Sequence, residues 1–149
     1  MTEDARRLVR NAANIANLST PLGLAVALAT GARLRRTQGL IVAEKARLGF
    51  LPAGAITVGS VVLIPRLTLD ELRHRIPGVV EHEDAHAWQY AYCLGLPFIP
   101  LYFAAMLWSW LRLGDRASGN FFERQAGLEL GGYPTGNPHR RSRDADRSA

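Results

Sequence analysis

The residues of this chain whose types and spacing can do chemistry are His82-Glu83-x-x-His86. On a helix, residues four apart share a face, so His82 and His86 can present two imidazoles to one ion. Glu83 sits one step round, placed to hold a water on that ion rather than to bind the ion itself. Two imidazoles do not complete a catalytic zinc site, which takes three protein ligands and keeps one position for water. The third ligand must come from elsewhere, and carboxylates compete for the role. Glu123, 37 residues after His86, is the leading candidate, because one intervening helix can carry the chain back alongside the motif. Asp115 and Glu129 are the alternatives. Asn120-x-x-Glu123 is also a capping-box pattern, in which Glu123 would only satisfy a helix N-terminus. The donor set suits zinc, and with an open position it also suits iron or manganese.

The motif needs a helix, and the flanking residues supply its signals. Pro77 suits a first helical position, and Gly95 with Pro97 suits the stop. Upstream, Leu40–Ala46 and the β-branched, charge-free Ala55–Ile64 read as two strands joined through Gly49, Pro52 and Gly54, forming a hairpin or small sheet. Pro65 ends the second strand. Thr68-x-x-Glu71 is a capping-box pattern that opens a short helix over 69–75. His74 within it, between Arg73 and Arg75, reads as solvated.

Nearer the N-terminus, residues 3–17 carry helical periodicity with an apolar stripe of Leu8, Val9, Ala12, Ile15 and Ala16. Leu22 to Ala32 forms a second apolar segment. Both are expected to pack on the rest of the domain, with Arg33, Arg35 and Arg36 suiting a helix C-terminus. Arg6, Arg7 and Arg10 before an apolar run give a faint signal-peptide pattern, but Glu3-Asp4 and the late start of that run argue against secretion. The expected location is cytoplasmic or membrane-associated.

Downstream, Ala91 to Leu111 holds no charge. Gly95, Pro97 and Pro100 break it, leaving a helix over about 99–113, about 22 Å long and short for a membrane span. A packed helix is the expectation. The alternative is a helix half-buried at a membrane interface with its tryptophans at headgroup level. A further helix is expected over Phe121–Leu130, stopped by Gly131-Gly132. Residues 1–132 read as one domain, comprising a helical segment over 1–36 and a core over 38–130. Residues 133–149 read as a disordered basic tail.

The chain has 149 residues, 48% hydrophobic and 21% charged, with a mean hydropathy of -0.03. That suits a single core, globular or membrane-associated. Cys93 is the only cysteine, which excludes a disulfide framework and a cysteine-rich zinc site. The net charge of +5 is concentrated in the tail and near the N-terminus. No basic stripe is interleaved with aromatics, so nucleic acid is not an expected partner.

His-Glu-x-x-His with a later helix-borne Glu resembles the gluzincin metallopeptidases, especially small members with a minimal core. The resemblance covers roughly residues 38–130. It implies an α+β, mostly helical, zincin-like fold with a small sheet before the metal helix and a Glu-bearing helix after it. It also implies His82, His86 and Glu123 as ligands of one zinc ion and Glu83 as general base. Gln89 fits as well, since His-Glu-x-x-His-x-x-Gln recurs in small members. The implied activity is hydrolysis of a peptide or protein substrate, with Ala55–Ile64 in the place of the edge strand that aligns substrate backbone.

Asp84 departs from the usual uncharged residues between the Glu and the second His; it is a disturbing charge or an outer partner of the site. No oxyanion-stabilising residue stands out, and Tyr133, Tyr90 and His74 are the candidates. A second functional reading is a catalytically silent, metal-stabilised module that binds a membrane or a partner. A third is a small membrane protein in which the histidines are incidental.

Overall fold

The computed structural model describes residues 1–49 and 54–135. Six helices and four strands are described, in the order α1 (Glu3–Ala16), α2 (Ser19–Ala29), β1 (Arg33–Thr37), β2 (Leu40–Ala46), β3 (Ile56–Val58), β4 (Val61–Pro65), α3 (Leu69–Arg75), α4 (Val79–Tyr92), α5 (Phe98–Leu113) and α6 (Phe121–Ala126). The architecture is α+β and mostly helical: a small mixed sheet, then the helix of the His-Glu-x-x-His motif, then the Glu-bearing helix.

The sheet runs β1-β2-β4-β3, with β2 and β4 parallel and the other pairs antiparallel. β4 is buried along its whole length, which explains its run of Val-Val-Leu-Ile without the polar alternation of a half-exposed strand. Successive side chains point to opposite faces. Val62 and Ile64 join Leu40 and Val42 under α3 and α4, packing on Leu69, Leu72, Val79 and Val80. Val61 and Leu63 join Ala43 and Ala46 under α2, against Ala27. The sheet is thus a middle layer between α2 and the α3–α4 pair.

The structure corrects several expectations. Ala55–Ile64 is not one strand but the β3–β4 hairpin, turned at Gly59-Ser60. Gly59 has φ +64°, and a Cβ there would lie 2.4 Å from the Thr20 nitrogen, so the turn both needs glycine and lets α2 approach closely. Arg33, Arg35 and Arg36 do not cap a helix but lie in edge strand β1. Their charges blunt an exposed sheet edge, and Arg35 pairs with Asp70 at 2.9 Å. α4 starts after Pro77, with Gly78 as its cap, and ends at Tyr92. α6 stops at Ala126 rather than Leu130, because Gly127 takes φ +94°. The Thr68–Glu71 capping box is present on α3 as read.

Two corrections concern polarity. The apolar stripe of α1 does not pack inward. Its buried residues are Arg10 and Asn14, while Leu8 is 70% exposed. Likewise α5 is not a core helix, since only Phe98 and Ser109 are buried along it. The tail expected from residue 133 falls on 136–149, which lie outside the described residues. Tyr133 is described, and it packs beside the motif.

Candidate metal centre

α4 carries His82 and His86 on one face, and α6 brings Glu123 up to them. The loop before α6 is closed by Asp115, which accepts from the Ala117 and Ser118 amides at 2.8 and 2.6 Å. Asn120 then caps α6 through its own side chain, accepting from the Phe122 amide at 3.0 Å. Glu123 is therefore free of the capping role. Its carboxylate is buried and points at the histidines: Oε2 is 3.1 Å from His82 Nε2 and Oε1 is 3.6 Å from His86 Nε2. The three residues offer ligand atoms that all lie within 4.8 Å of one another. Of the competing carboxylates, Asp115 is spent on its loop, and Glu129 is exposed and accepts from Thr135.

The outer nitrogens of both rings are committed. His82 Nδ1 lies 3.0 Å from the Gly127 carbonyl. A carbonyl only accepts, so Nδ1 carries the proton and Nε2 is left with a lone pair. This partner exists because α6 ends early at Gly127. His86 Nδ1 lies 2.8 Å from Gln89 Oε1. Gln89 Nε2 donates to the Phe122 carbonyl at 2.9 Å and to Gln125 Oε1 at 3.0 Å. The Phe122 carbonyl fixes which end of the amide is the donor, so Oε1 faces His86 and its Nδ1 also holds the proton. Two Nε2 atoms 3.1 Å apart then face each other and a carboxylate, and Glu123 Oε2 has no hydrogen-bond donor. Buried acceptors collected in this way call for a cation between them. The residues present fit a divalent metal in a gluzincin-like arrangement of two histidines at HxxxH spacing and a downstream glutamate.

The electrostatics agree with a site built around charge. Burial would raise the Glu123 pKa, but the contacts with His82 and His86 and the Tyr102 hydrogen bond outweigh it and hold the carboxyl well below its ordinary value. Burial would lower the His86 pKa. The Glu123 contact and the charge of Glu83 more than offset that, so it is raised.

Glu83 lies on the sheet-facing side of α4, where Thr57 Oγ1 of β3 donates to its Oε2 at 2.6 Å. One carboxylate oxygen is thereby held while the other is left to act. β3 is an edge strand, and among the described residues no strand pairs with its outer side.

Three residues of the site were not anticipated: Tyr102, Thr57 and Gly127. The Tyr102 hydroxyl donates to Glu123 Oε1, and its ring meets His86 edge-on at 5.9 Å between centroids. One signal was available for it: Phe98, Tyr102 and Ser109 fall on one arc of α5, the arc that turns inward. No comparable sequence signal marks Thr57 or the Gly127 carbonyl.

Of the oxyanion candidates, Tyr133 has its ring 6.0 Å from that of His82. Burial and the charges of Glu123 and Glu83 push its hydroxyl pKa up, keeping it a donor. Tyr90 packs on Phe98, and burial alone raises its pKa. His74 is exposed on α3, away from any bond to the site. Asp84 does not touch the metal ligands either. It pairs with the buried Arg10 of α1, which balances its charge beside the motif.

Comparison with protein-family models, with curated proteins and with solved structures yields no match.

Proposed function

We propose that this chain is a zinc-dependent hydrolase of the gluzincin type acting on peptide bonds. The observation that carries the reading is the convergence of His82 Nε2, His86 Nε2 and a donor-free Glu123 oxygen, with both Nδ1 atoms committed elsewhere. The donor set alone also suits iron or manganese; zinc is favoured here by the His-Glu-x-x-His spacing, which sets Glu83 beside the two histidines as a general base. When bound, the ion lowers the pKa of a water and polarises a carbonyl.

Glu83 takes the proton from the attacking water on the oxygen not held by Thr57 and passes it to the departing amine. The outer edge of β3 offers backbone groups to an extended peptide, lying next to Glu83 because Thr57 links the two. Tyr133, beside His82, donates to the oxyanion; Tyr102 instead orients Glu123.

The test is metal content by elemental analysis, paired with hydrolysis of a peptide library. Wild type should carry about one zinc per chain, with the metal lost in His86→Ala and in Glu123→Ala. Glu83→Gln should keep the metal and lose activity by a factor of about 100 or more. Metal retained with no turnover in wild type would overturn the hydrolase reading and leave a metal-stabilised module.

A further inference from the structure

Away from the metal centre, the helices are turned inside out. α1 buries Arg10, which reaches the Gly39 carbonyl at 3.1 Å, and Asn14, which donates to the Ala87 carbonyl at 2.8 Å. Its Leu8, Val9 and Ile15 face outward. α5 is apolar around most of its circumference, with Leu107, Trp108, Trp110 and Leu111 all exposed. A helix apolar on nearly every side is normally surrounded.

The two surfaces meet. Asn17, at the end of α1, packs against Gly95 so closely that a Cβ there would lie 2.5 Å from Asn17 Cγ. Leu18 and Leu94, the neighbours of this contact, are both exposed. Exposed apolar side chains therefore lie on both sides of this junction, at Leu18, Leu94 and Leu96, and continue along α5, more than the scattered exposure ordinary on a soluble surface.

We infer that this surface seats the protein in one leaflet of an anionic lipid bilayer. The far end of α5 carries the chemistry of a headgroup boundary: the Arg112 guanidinium lies 4.5 Å over the Trp108 ring, and Arg116 follows, exposed. Tryptophan paired with arginine is the anchor that interfaces favour, and the cationic end complements anionic phospholipid. A flat protein partner would cover one side of α5, whereas acyl chains cover every side left open.

The depth is bounded by length. The 16 residues of α5 reach about 24 Å, less than a hydrocarbon core of about 30 Å. No single described helix is long and apolar enough to cross; α1 and α2 are so only together, bent by 78°, and α1 is fastened to the fold by its buried Arg10 and Asn14. The helices therefore lie in the interface rather than span it. This reading is independent of the chemistry proposed for the metal centre.

The test is flotation of the purified full chain with phosphatidylcholine vesicles, with and without phosphatidylglycerol. Tryptophan quenching by brominated lipid reports depth. Wild type should float, more strongly with phosphatidylglycerol, and its tryptophans should be quenched. Leu107→Glu with Leu111→Glu alters only exposed positions and should lower partition by about ten-fold or more, with circular dichroism and metal content unchanged. Arg112→Gln should weaken the preference for phosphatidylglycerol by about five-fold, and Arg112→Gln with Arg116→Gln should weaken it further.

Wild type left in the aqueous fraction with both vesicle types would overturn the inference. So would partition unaffected by the paired glutamates. A lipid-free dimer that the same glutamates dissociate would assign the surface to a second copy instead.

Discussion

Gln89 shows how much of a metal centre is decided by a residue that touches no metal. Its amide joins three things at once: the His86 Nδ1 proton, the Phe122 carbonyl of α6 and the Gln125 side chain. It sets the His86 tautomer and ties the two ligand-bearing helices together. Gln89→Leu keeps the volume and removes the polar contacts, leaving the Nδ1 proton without an acceptor and the ring free to turn. Zinc affinity should fall by about 10- to 100-fold in competition with a chromophoric chelator. Unchanged affinity would mean that the ring is held by packing alone. Tyr102→Phe makes a matched comparison. It removes a donor from Glu123 but spares both imidazoles, so affinity should fall less than in Gln89→Leu.

At the scale of elements, α1 is fastened to α4 by polar groups. Arg10 is wholly buried and paired with Asp84. Asn14 and Asn17 reach the Ala87 and Tyr90 carbonyls at 2.8 and 3.3 Å. Arg10→Met should cost about 3 kcal/mol in denaturant unfolding, since it leaves Asp84 without its partner. The double variant Arg10→Met/Asp84→Leu should recover much of that loss. Failure to recover would locate the cost in Arg10's bonds to Gly39 and Asn11 rather than in the ion pair.

This helix also marks where the sequence could be read and where it could not. Its amphipathicity was plain from residues 3–17, but periodicity tells that two faces differ, not which one turns inward. Arg10, Asn14 and Asn17, spaced four and three apart, form as regular a stripe as Leu8, Ala12 and Ile15 do. The hydrophobic effect in water favours burying the other stripe, so the default assignment failed. The same limit applies to α5. By contrast, the motif helix, the Thr68 cap and Glu123 were readable because each depends on local spacing. The split of Ala55–Ile64 into a hairpin does leave a local trace, Gly59-Ser60 between two β-branched runs, but a charge-free run reads equally as one buried strand until α2 is seen to press on Gly59.

For the molecule as a whole, the metal centre is the clasp that closes α6 onto α4. α6 has six residues, well short of a helix that holds itself in water, so its position rests on Gln89, on the contacts of Glu123 with the two histidines, and on the divalent cation that this cluster would hold. Without metal, a proton on His86 can take the cation's place opposite Glu123. Because the folded His86 pKa is raised, that protonated pair stabilises the metal-free fold fully below the unfolded value of about 6.5. Its contribution is lost as pH rises through the folded pKa. Glu123 works in the opposite sense. Its pKa is lowered by folding, so its contribution is present above about 4.5 and is lost only in strong acid. The metal-free clasp is therefore tightest in mildly acidic solution and loosens toward alkaline pH. Metal needs the His86 lone pair and gains affinity over the same range, as the competing proton leaves. The difference in Tm between zinc-saturated and chelator-treated protein should widen from pH 6 to pH 8. At the upper end it should be on the order of 10 °C for zinc held at about a thousand times its Kd. Differential scanning calorimetry on paired samples measures it. A gap that stays constant or narrows with pH would mean that the proton and the metal do not share the His86–Glu123 position.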